Sequence, residues 1–596
     1  MPMLPQDDQP QKARSAVLPP KLSALKARML STHLHNSDKR INFVAVCFLG
    51  VFAIMAGRLV QLGFKGGLPG GVKGAADQEL SAARPDIVDR HGRLLATDVR
   101  TVSVFAEPGK IIDKNKVTDE LTRILSLKHP EALRHRLGMR KGFVWVKRTI
   151  TPRQREEIFQ LGEPGIGFLP DLKRFYPNGP LAAHVLGFTN EDNRGIAGIE
   201  KYIDEQGLMS LHGAGFEVKH EDLKPVKLSI DLDVTQVLRD ELEKGLVKFK
   251  AKSDAGAILD VRTGEVIALE SLPDFDPNDP GKGVTAVNKN RMTAGVYEMG
   301  STFKSISIAM ALQDDKVKLG SRLDATHNLH YGRFTIHDYD ATHRMLTVPE
   351  VFVHSSNIGT ARMVLRVGVP GHKAFLRKMG MLTRMKTELP ESAAPIIPHP
   401  WSTLNSITIA FGQGINVAPL QAMAAVAGLV NGGNLMVPTF LKRDQAQALK
   451  VSKNVVRPDV SEAIRYLMRI NAEIGSAKKA NIPGYFVGGK TGTADKIIHG
   501  RYANNKVFTT FMALVPANKP KYLFMVIMNE PQGLKSTFGF HTAAWNSGEI
   551  TGKVITRAAP MLGLAPEDVL PKAPFPLLAA QGYTYVNQPN GGGMVD

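Results

Sequence analysis

Apolar and polar positions follow different patterns in successive regions of this chain. The longest apolar run is FVAVCFLGVFAIMAG at residues 43–57, and from 41 to 62 the segment is long enough to cross a bilayer, which takes about 20 residues. Its N-terminal flank is basic, so the positive-inside rule predicts a cytoplasmic tail over 1–40, a transmembrane helix over 41–62 and an exported body. A cleaved signal peptide is disfavoured because its leading segment would be much shorter.

Residues 63–225 mix two kinds of short pattern. Strand-like runs occur at Thr101–Ala106 and Phe143–Arg148, and a helical pattern occurs at Val117–Leu127. Glycine and proline interrupt these runs often. The region is therefore predicted to be an irregular, elongated module.

A different pattern of predicted strands and helices runs from residue 226 to 573. Leu228–Ile230 is predicted as a strand, and Val234–Lys250 as a helix whose apolar positions recur every four residues. Two pairs of strand-like runs predict antiparallel hairpins: 255–260 with 265–269, and 508–515 with 521–528. These elements predict an α/β (α+β) domain in which helices flank an antiparallel sheet. Residues 574–596, with a Gly591–Gly593 run, are predicted to be a flexible tail.

Composition narrows the function classes. The 596 residues are 43% hydrophobic and 22% charged, which are ordinary globular values. The formal net charge is +19, but no basic run is interleaved with aromatic residues, so nucleic-acid binding is not expected. The single cysteine, Cys47, excludes an intrachain disulfide, and the 17 histidines show no metal-binding spacing. We expect neither a metal nor a cofactor.

Three short sequence motifs, called phrases here, contain candidate catalytic residues. The first is Gly300-Ser-Thr-Phe-Lys304, with Ser301 and Lys304, at the start of a predicted helix. Their i, i+3 spacing puts both side chains on one face of the first turn. A lysine that burial and a nearby cation hold neutral can take the proton of a serine nucleophile. The pattern alone is weak, since Ser23–Lys26 and Ser476–Lys479 also match it.

Two further phrases follow along the chain. In Ser355-Ser356-Asn357 the first hydroxyl could relay a proton and the amide could hold substrate or order the lysine. A serine-rich turn or helix cap would look the same, and Ser452-Lys453-Asn454 repeats the pattern. The phrase Lys490-Thr-Gly-Thr493 occurs once and follows small residues, which predicts a strand whose edge can pair with substrate backbone. An exposed hairpin turn is the alternative.

The order of the three phrases, 54 and then 135 residues apart, resembles the penicillin-recognising serine acyltransferases, which include penicillin-binding proteins and serine β-lactamases. The resemblance implies that Ser301 is the acylated nucleophile and Lys304 its general base. Ser355 and Asn357 would relay protons and contact substrate, and Ser356 beside them would bind substrate or β-lactam. Further roles are implied for Lys490, Thr491 and Gly492 in binding the substrate carboxylate and for the amides of Ser301 and Thr493 in holding the oxyanion.

Other phrases narrow the resemblance to class B penicillin-binding proteins. The opening signature of that class is similar to Arg84-Pro-Asp-Ile-Val-Asp89-Arg-His-Gly92. The residues of this motif are closest to those of the division-specific, FtsI-like branch. Arg174-Phe-Tyr-Pro177 and Gly198-Ile-Glu200 are similar to its later motifs. These imply a pedestal, or dimerisation-type, domain over 63–225 and a transpeptidase domain over 226–573. Arg84, Asp89 and Glu200 are expected to form structural ion pairs. A class A protein would carry a glycosyltransferase domain, whose acidic signature is absent from 63–225.

The resemblance implies a septal peptidoglycan D,D-transpeptidase that crosslinks stem peptides and is acylated by β-lactams. It would be a single-pass protein of the bacterial inner membrane, with its catalytic domain in the periplasm and an FtsW-type polytopic glycosyltransferase and other division proteins as partners. Two alternatives stay open. One is a D,D-carboxypeptidase or β-lactamase-like hydrolase, and the other is a silent division scaffold or β-lactam sensor.

Overall fold

The computed structural model describes residues 43–58 apart from 45, then 83–139, 142–208, 223–279, 281, 285–498, 501–567 and 573–585. The chain divides into two compact units, 1–79 and 80–596. Residues 43, 44 and 46–58 lie in helix α1, while the predicted tail 1–40 and the two ends of the predicted span fall outside the described residues. Within the described ranges, no helix combines the length and the hydropathy that a membrane span requires.

The second unit begins with a five-stranded sheet, which we call the pedestal sheet. Strand β2 pairs with β1, β3 and β4, all antiparallel, and β5 joins β1 in parallel. The predicted elements of this region are confirmed by β2, β3 and α2. The bounds are β1 Ile87–Val88, β2 Leu94–Ala106, α2 Lys114–Leu125, α3 Pro130–Gly138, β3 Val144–Ile150, α4 Pro152–Phe159, β4 Ile166–Phe175, α5 Ala183–Leu186, α6 Gly198–Ile203 and β5 Val226–Lys227.

Glu200 lies at the centre of a buried ion network beside this sheet. Its two carboxylate oxygens accept from Arg84 Nε at 2.7 Å and from Arg174 Nε at 2.6 Å, and the three side chains are at most 1% exposed. Burial raises the pKa of Glu200, but the two guanidinium groups outweigh it and hold the pKa below its usual value. Arg93 also pairs with Asp89 at 2.7 Å. The structural ion pairs predicted for Arg84, Asp89 and Glu200 are therefore confirmed.

Glu200→Gln is expected to destabilise the protein by about 3–5 kcal/mol, because the two buried guanidinium groups lose their shared counter-charge. Urea denaturation followed by circular dichroism measures this loss. Glu131→Gln is the matched control, since Glu131 pairs with Arg134 at 2.6 Å on the exposed surface, and its substitution should change the midpoint little. Equal midpoints for the two variants would contradict a structural role for the buried network.

A second, fully antiparallel sheet of order β14-β15-β16-β6-β7, called the central sheet here, forms the middle of the next part of the chain. The two predicted hairpins are confirmed, as β6 with β7 and β15 with β16. Apolar residues occupy both faces of these strands, because one face packs on α8, α12 and α14 and the other on α7 and α15. The strands are β6 Ser253–Asp260, β7 Val266–Leu272, β8 Arg322–Asp324, β9 Leu329–Tyr331, β10 Phe334–Ile336, β11 Met345–Thr347, β12 Asn434–Leu435, β13 Lys453–Asn454, β14 Gly488–Ile498, β15 Arg501–Val515 and β16 Tyr522–Asn529.

Helices of this part pack on the central sheet and on one another. The predicted helix over Val234–Lys250 is confirmed with slightly shifted ends. The helices are α7 Leu232–Lys248, α8 Lys304–Gln313, α9 Val348–Val353, α10 Asn357–Lys378, α11 Thr403–Ile409, α12 Pro419–Val430, α13 Gln445–Val451, α14 Pro458–Ile474, α15 Ser547–Met561 and α16 Pro576–Ala580. The result is a mixed α/β fold with an antiparallel sheet between helices, as the sequence predicts.

Two predictions fail in detail. Leu228–Ile230 is not a strand; Leu228 makes a single bridge to Leu441, and the stretch is a buried connection from β5 to α7. Residues 574–585, the described part of the predicted flexible tail 574–596, instead pack on α14; residues 586–596 fall outside the described residues. Phe575 is 2% exposed there, and Tyr585 Oη meets Arg469 Nε at 3.1 Å. Aromatic burial outweighs the local signal of prolines and glycines that favours a mobile tail.

Candidate active site

Ser301 lies in a 3-10 turn, Gly300–Phe303, directly before α8. Gly300 has φ +54°, and a Cβ there would come within 2.9 Å of the Thr493 carbonyl. A Cβ on Gly492 would meet the Met299 carbonyl at 2.4 Å. Glycine at these two positions lets strand β14 pack directly against the turn that carries Ser301. The first and third sequence phrases therefore meet in space.

Lys304 is the first residue of α8, and its side chain is completely buried. Its Nζ donates to the Ser355 carbonyl and lies 2.8 Å from Asn357 Oδ1 and 3.1 Å from Ser355 Oγ. Burial and repulsion from Lys490 hold the pKa of Lys304 well below its usual value, although Asp338 acts in the opposite direction. This environment favours a neutral amine, the form that can accept a proton.

The Ser355–Asn357 phrase forms a tight connection between α9 and α10. Ser355 has φ +54°, a left-handed conformation that serine seldom adopts and that the two flanking helices impose. Ser356 is the N-cap of α10, where its Oγ accepts from Gly359 N at 2.9 Å. Since this hydroxyl also donates to Asp338 Oδ2 at 2.6 Å and is buried, Ser356 supports the fold of the turn instead of facing substrate.

Lys490, on β14, completes the group of polar side chains. Its Nζ lies 3.1 Å from Ser355 Oγ and 3.1 Å from the Thr491 carbonyl, and the side chain is completely buried. Burial lowers the pKa of Lys490 to about 7. The Ser355 hydroxyl is thus shared by two amines, and their mutual repulsion disfavours two positive charges at once.

This arrangement can move a proton. A neutral Lys304 can donate to the Ser355 carbonyl and to Asn357 Oδ1 while it accepts the Ser355 hydroxyl proton. Lys490, as the ammonium ion, can donate to the same hydroxyl oxygen, so Ser355 can pass a proton between the two amines. Ser301 Oγ has no hydrogen-bond partner among the described residues, which leaves it free to take up one when a substrate enters.

Strand β14 is an edge strand of the central sheet. It pairs with β15 on one side and with no described strand on the other, so the second edge can pair with an extended ligand. Thr491 and Thr493 are two positions apart and point to the same face of the strand. Thr493 Oγ1 accepts from Ala543 N at 3.1 Å.

Ser476, a chance match to the first phrase by sequence, lies beside this strand. Its Oγ is 2.7 Å from Thr491 Oγ1, and either hydroxyl can be the donor. The Ser452–Asn454 match lies apart from the cleft, at the end of α13 and in β13. The Ser23–Lys26 match is outside the described residues. Ser476 therefore belongs to the site because of its contact with Thr491, and not because it matches the Ser-x-x-Lys pattern.

Ser476→Ala is expected to slow acylation by a fluorescent penicillin about fivefold, because Thr491 loses one hydrogen bond worth about 1 kcal/mol. The second-order rate constant of labelling measures this. Ser452→Ala, a substitution of the same kind outside the cleft, should leave the rate unchanged. A complete loss of labelling in Ser476→Ala would mean that Ser476 has a larger role than supporting Thr491.

Asp338 is the other residue that the sequence phrases miss. Its carboxylate accepts from Ser356 Oγ and from the backbone amides of Asn357 at 2.5 Å and Ile358 at 3.0 Å. It thereby holds the start of α10 in place and contributes a negative charge near Lys304. No local pattern distinguishes it, since it lies in a loop 18 residues before Ser356. No metal-binding group of three or more His, Cys, Asp or Glu occurs in the described parts of the chain.

Two family descriptions match the chain. Residues 255–550 match the "Penicillin binding protein transpeptidase domain" and residues 79–207 match the "Penicillin-binding Protein dimerisation domain". The first covers the central sheet and all three phrases, and the second covers most of the pedestal sheet.

Relatives and solved structures agree with these matches. The chain is 35% identical over 540 residues to a probable peptidoglycan D,D-transpeptidase FtsI of Caulobacter vibrioides, covering 88% of each chain. It is 31% identical over 526 residues to the probable peptidoglycan D,D-transpeptidase PenA of Neisseria meningitidis, covering 83% of this chain and 87% of the relative. Penicillin-binding protein 3 of Mycobacterium tuberculosis, solved with aztreonam, shares the fold at a TM-score of 0.62 and 21% identity, over 82% of this chain and 98% of that one. The chain therefore belongs to the class B penicillin-binding proteins, in the group of FtsI-type peptidoglycan D,D-transpeptidases.

Proposed function

We propose that this protein crosslinks peptidoglycan at the division septum through an acyl-enzyme on Ser301, and that β-lactams acylate the same serine. The observation that carries this proposal is the buried Lys304 amine, which shares the Ser355 hydroxyl with Lys490 at 3.1 Å from each. A neutral lysine beside a serine nucleophile is what acyl transfer requires. The names of the relatives support the same reaction.

Acylation follows from the arrangement of these groups. Ser301 Oγ attacks the carbonyl carbon of the penultimate D-Ala while its proton passes to Lys304 Nζ. The tetrahedral oxyanion is held by the backbone amides of Ser301 and Thr493. The C–N bond then breaks, and the proton reaches the leaving nitrogen through the Ser355 hydroxyl. The terminal D-Ala leaves as a neutral amine, and an ester joins Ser301 to the donor peptide.

Deacylation reverses the same proton path. An amine of a neighbouring strand attacks the ester carbonyl, Lys304 receives its proton, and Ser301 Oγ leaves and is reprotonated. Before acylation the donor lies along the free edge of β14, with the carboxylate of its terminal D-Ala at the Lys490 ammonium and the Thr491 hydroxyl. Gly492 allows the close approach of β14 to the Ser301 turn. Asn357 orders Lys304 and contacts the donor.

We further propose that residues 41–62 anchor the protein in the bacterial inner membrane, with 1–40 in the cytoplasm and the transpeptidase domain in the periplasm. The apolar run and its basic flank support this orientation. The pedestal domain over 63–225 and the anchor would contact an FtsW-type glycosyltransferase and other division proteins. The transpeptidase domain would occupy 226–573.

The proposal is tested with the full chain in detergent, a synthetic stem pentapeptide that ends in D-Ala-D-Ala, and an amine acceptor. Mass spectrometry separates the aminolysis product from the hydrolysis product. We expect the aminolysis product in excess and none from Ser301→Ala. Hydrolysis alone would favour a carboxypeptidase. Stable β-lactam labelling without any turnover of peptide would favour a scaffold or sensor and overturn the transpeptidase proposal.

A further inference from the structure

A cavity of about 480 Å³ is lined by residues outside the three phrases. It lies between the turn after β6, the end of α12, helix α13, the middle of α14 and the turn between β15 and β16. None of the residues that form the candidate active site lines it. Its size is in the range of cavities that hold small ligands, about 300–1,000 Å³.

Positive charge dominates the lining of this cavity. Four cationic side chains reach it, from Arg262, Arg465, Lys519 and Lys521, and none of the residues that line it is acidic. Arg262 is neutralised by Asp260, whose two oxygens lie 3.0 and 2.6 Å from Nε and Nη2. Lys519 and Lys521 form no ion pair with any described residue. Two positive charges in the cavity wall are therefore uncompensated.

The Arg465 guanidinium also lacks a close counter-charge and one hydrogen-bond acceptor. Its Nη1 donates to the Asn518 carbonyl at 2.5 Å. Its Nη2 lies 3.4 Å from the Glu462 carboxylate, a long contact, and that carboxylate also accepts from Leu578 N. Its Nε is buried and has no acceptor among the described residues. Burial lowers the pKa of Arg465, although Glu462 acts in the opposite direction. The cavity thus brings a poorly solvated guanidinium together with two unpaired ammonium groups.

The remaining lining adds neutral hydrogen-bonding and apolar groups. Asn431, Asn434 and Gln445 supply amides that can donate or accept, and Met436 and Leu449 supply apolar surface. Polar groups that converge on a partly apolar cavity are typical of a ligand site.

We propose that this cavity is a binding site for a small oligoanion with at least two carboxylate or phosphate groups, separate from the acylation site. Two acidic groups on one ligand would match Lys519 and Lys521, and the Arg465 guanidinium would add positive charge to the same wall. Either a small polycarboxylate or a small diphosphate-bearing molecule offers this chemistry. The site is independent of the proposed transpeptidase reaction.

Isothermal titration calorimetry of the full chain in detergent, at constant ionic strength, tests the site with three probes: tricarballylate, inorganic pyrophosphate and a hexaglutamate peptide. We expect tricarballylate or pyrophosphate to bind once per chain with a Kd below about 1 mM. The probe that binds more tightly identifies the carboxylate or the phosphate class. Binding of hexaglutamate alone would overturn the small-ligand proposal in favour of an acidic protein segment.

The double variant Lys519→Gln/Lys521→Gln should weaken binding at least about tenfold. Lys316→Gln/Lys318→Gln is the matched control, because these exposed lysines have the same spacing, do not line the cavity and form no ion pair among the described residues. It should change Kd less than about twofold. Unchanged melting temperatures would exclude unfolding. No binding to the wild type, or equal losses in the two variants, would overturn the site, since equal losses indicate only the overall charge of +19.

Discussion

Ser301→Ala is expected to abolish covalent labelling by a fluorescent penicillin and to reduce crosslinking to background. The acyl-enzyme needs an oxygen nucleophile at this position, and the Ser301 hydroxyl, unlike that of Ser355, is not held by the two lysines. The expected loss in rate is at least about a thousandfold, the scale seen when a covalent nucleophile is removed. Labelling of the full chain, resolved by gel electrophoresis and followed by mass spectrometry of the labelled peptide, measures both the loss and the position of the adduct.

The control for this substitution must be a serine outside the cleft. Ser476→Ala does not serve, because Ser476 Oγ contacts Thr491 Oγ1 at 2.7 Å. Ser452→Ala is suitable, since Ser452 belongs to a similar Ser-x-Asn phrase and ends α13. If Ser301→Ala still carries the label at a different residue, the acylated serine has been assigned wrongly. If the wild type never carries it while folded, the family reaction is absent or depends on a partner.

Lys304→Met is expected to slow acylation by about a thousandfold with little loss of stability. The slower rate follows because the proton of Ser301 loses its acceptor, and general-base catalysis contributes about 10²–10⁴-fold. Stability is preserved because methionine has a similar length, and the buried lysine already has a pKa well below its usual value. Stopped-flow acylation rates and thermal melting measure the two quantities.

Lys304→Arg separates the role as a base from the role of a positive charge. Arginine remains protonated at neutral pH, so it keeps the cation but cannot accept a proton. We expect this variant to be about as slow as Lys304→Met. A rate close to that of the wild type would contradict Lys304 as the base and would leave it only an electrostatic role.

Much of the fold is predictable because it depends on local patterns. Helix α7 follows from apolar residues at a spacing of four, and the two hairpins of the central sheet follow from apolar runs around short turns. The prediction of a strand at Leu228–Ile230 fails because a short apolar run is equally compatible with a buried connection. The packing of Phe575 and Tyr585 on α14 depends on surface formed by distant residues, which a local pattern does not encode.

The sequence by itself determined the order of the three phrases and the basic flank before the apolar run, because residue type and spacing are fixed before the chain folds. The resemblance of the phrases to a known family predicted Ser301, Lys304, Ser355, Asn357 and Lys490 as a set. Only the tertiary structure decided how these residues act on one another. The low pKa of Lys304 arises from burial and from Lys490, which is 186 residues away along the chain. Tertiary packing also places Asp338 and Ser476 in the site, since contacts between distant parts of the chain decide which charges are desolvated and which hydroxyls form hydrogen bonds.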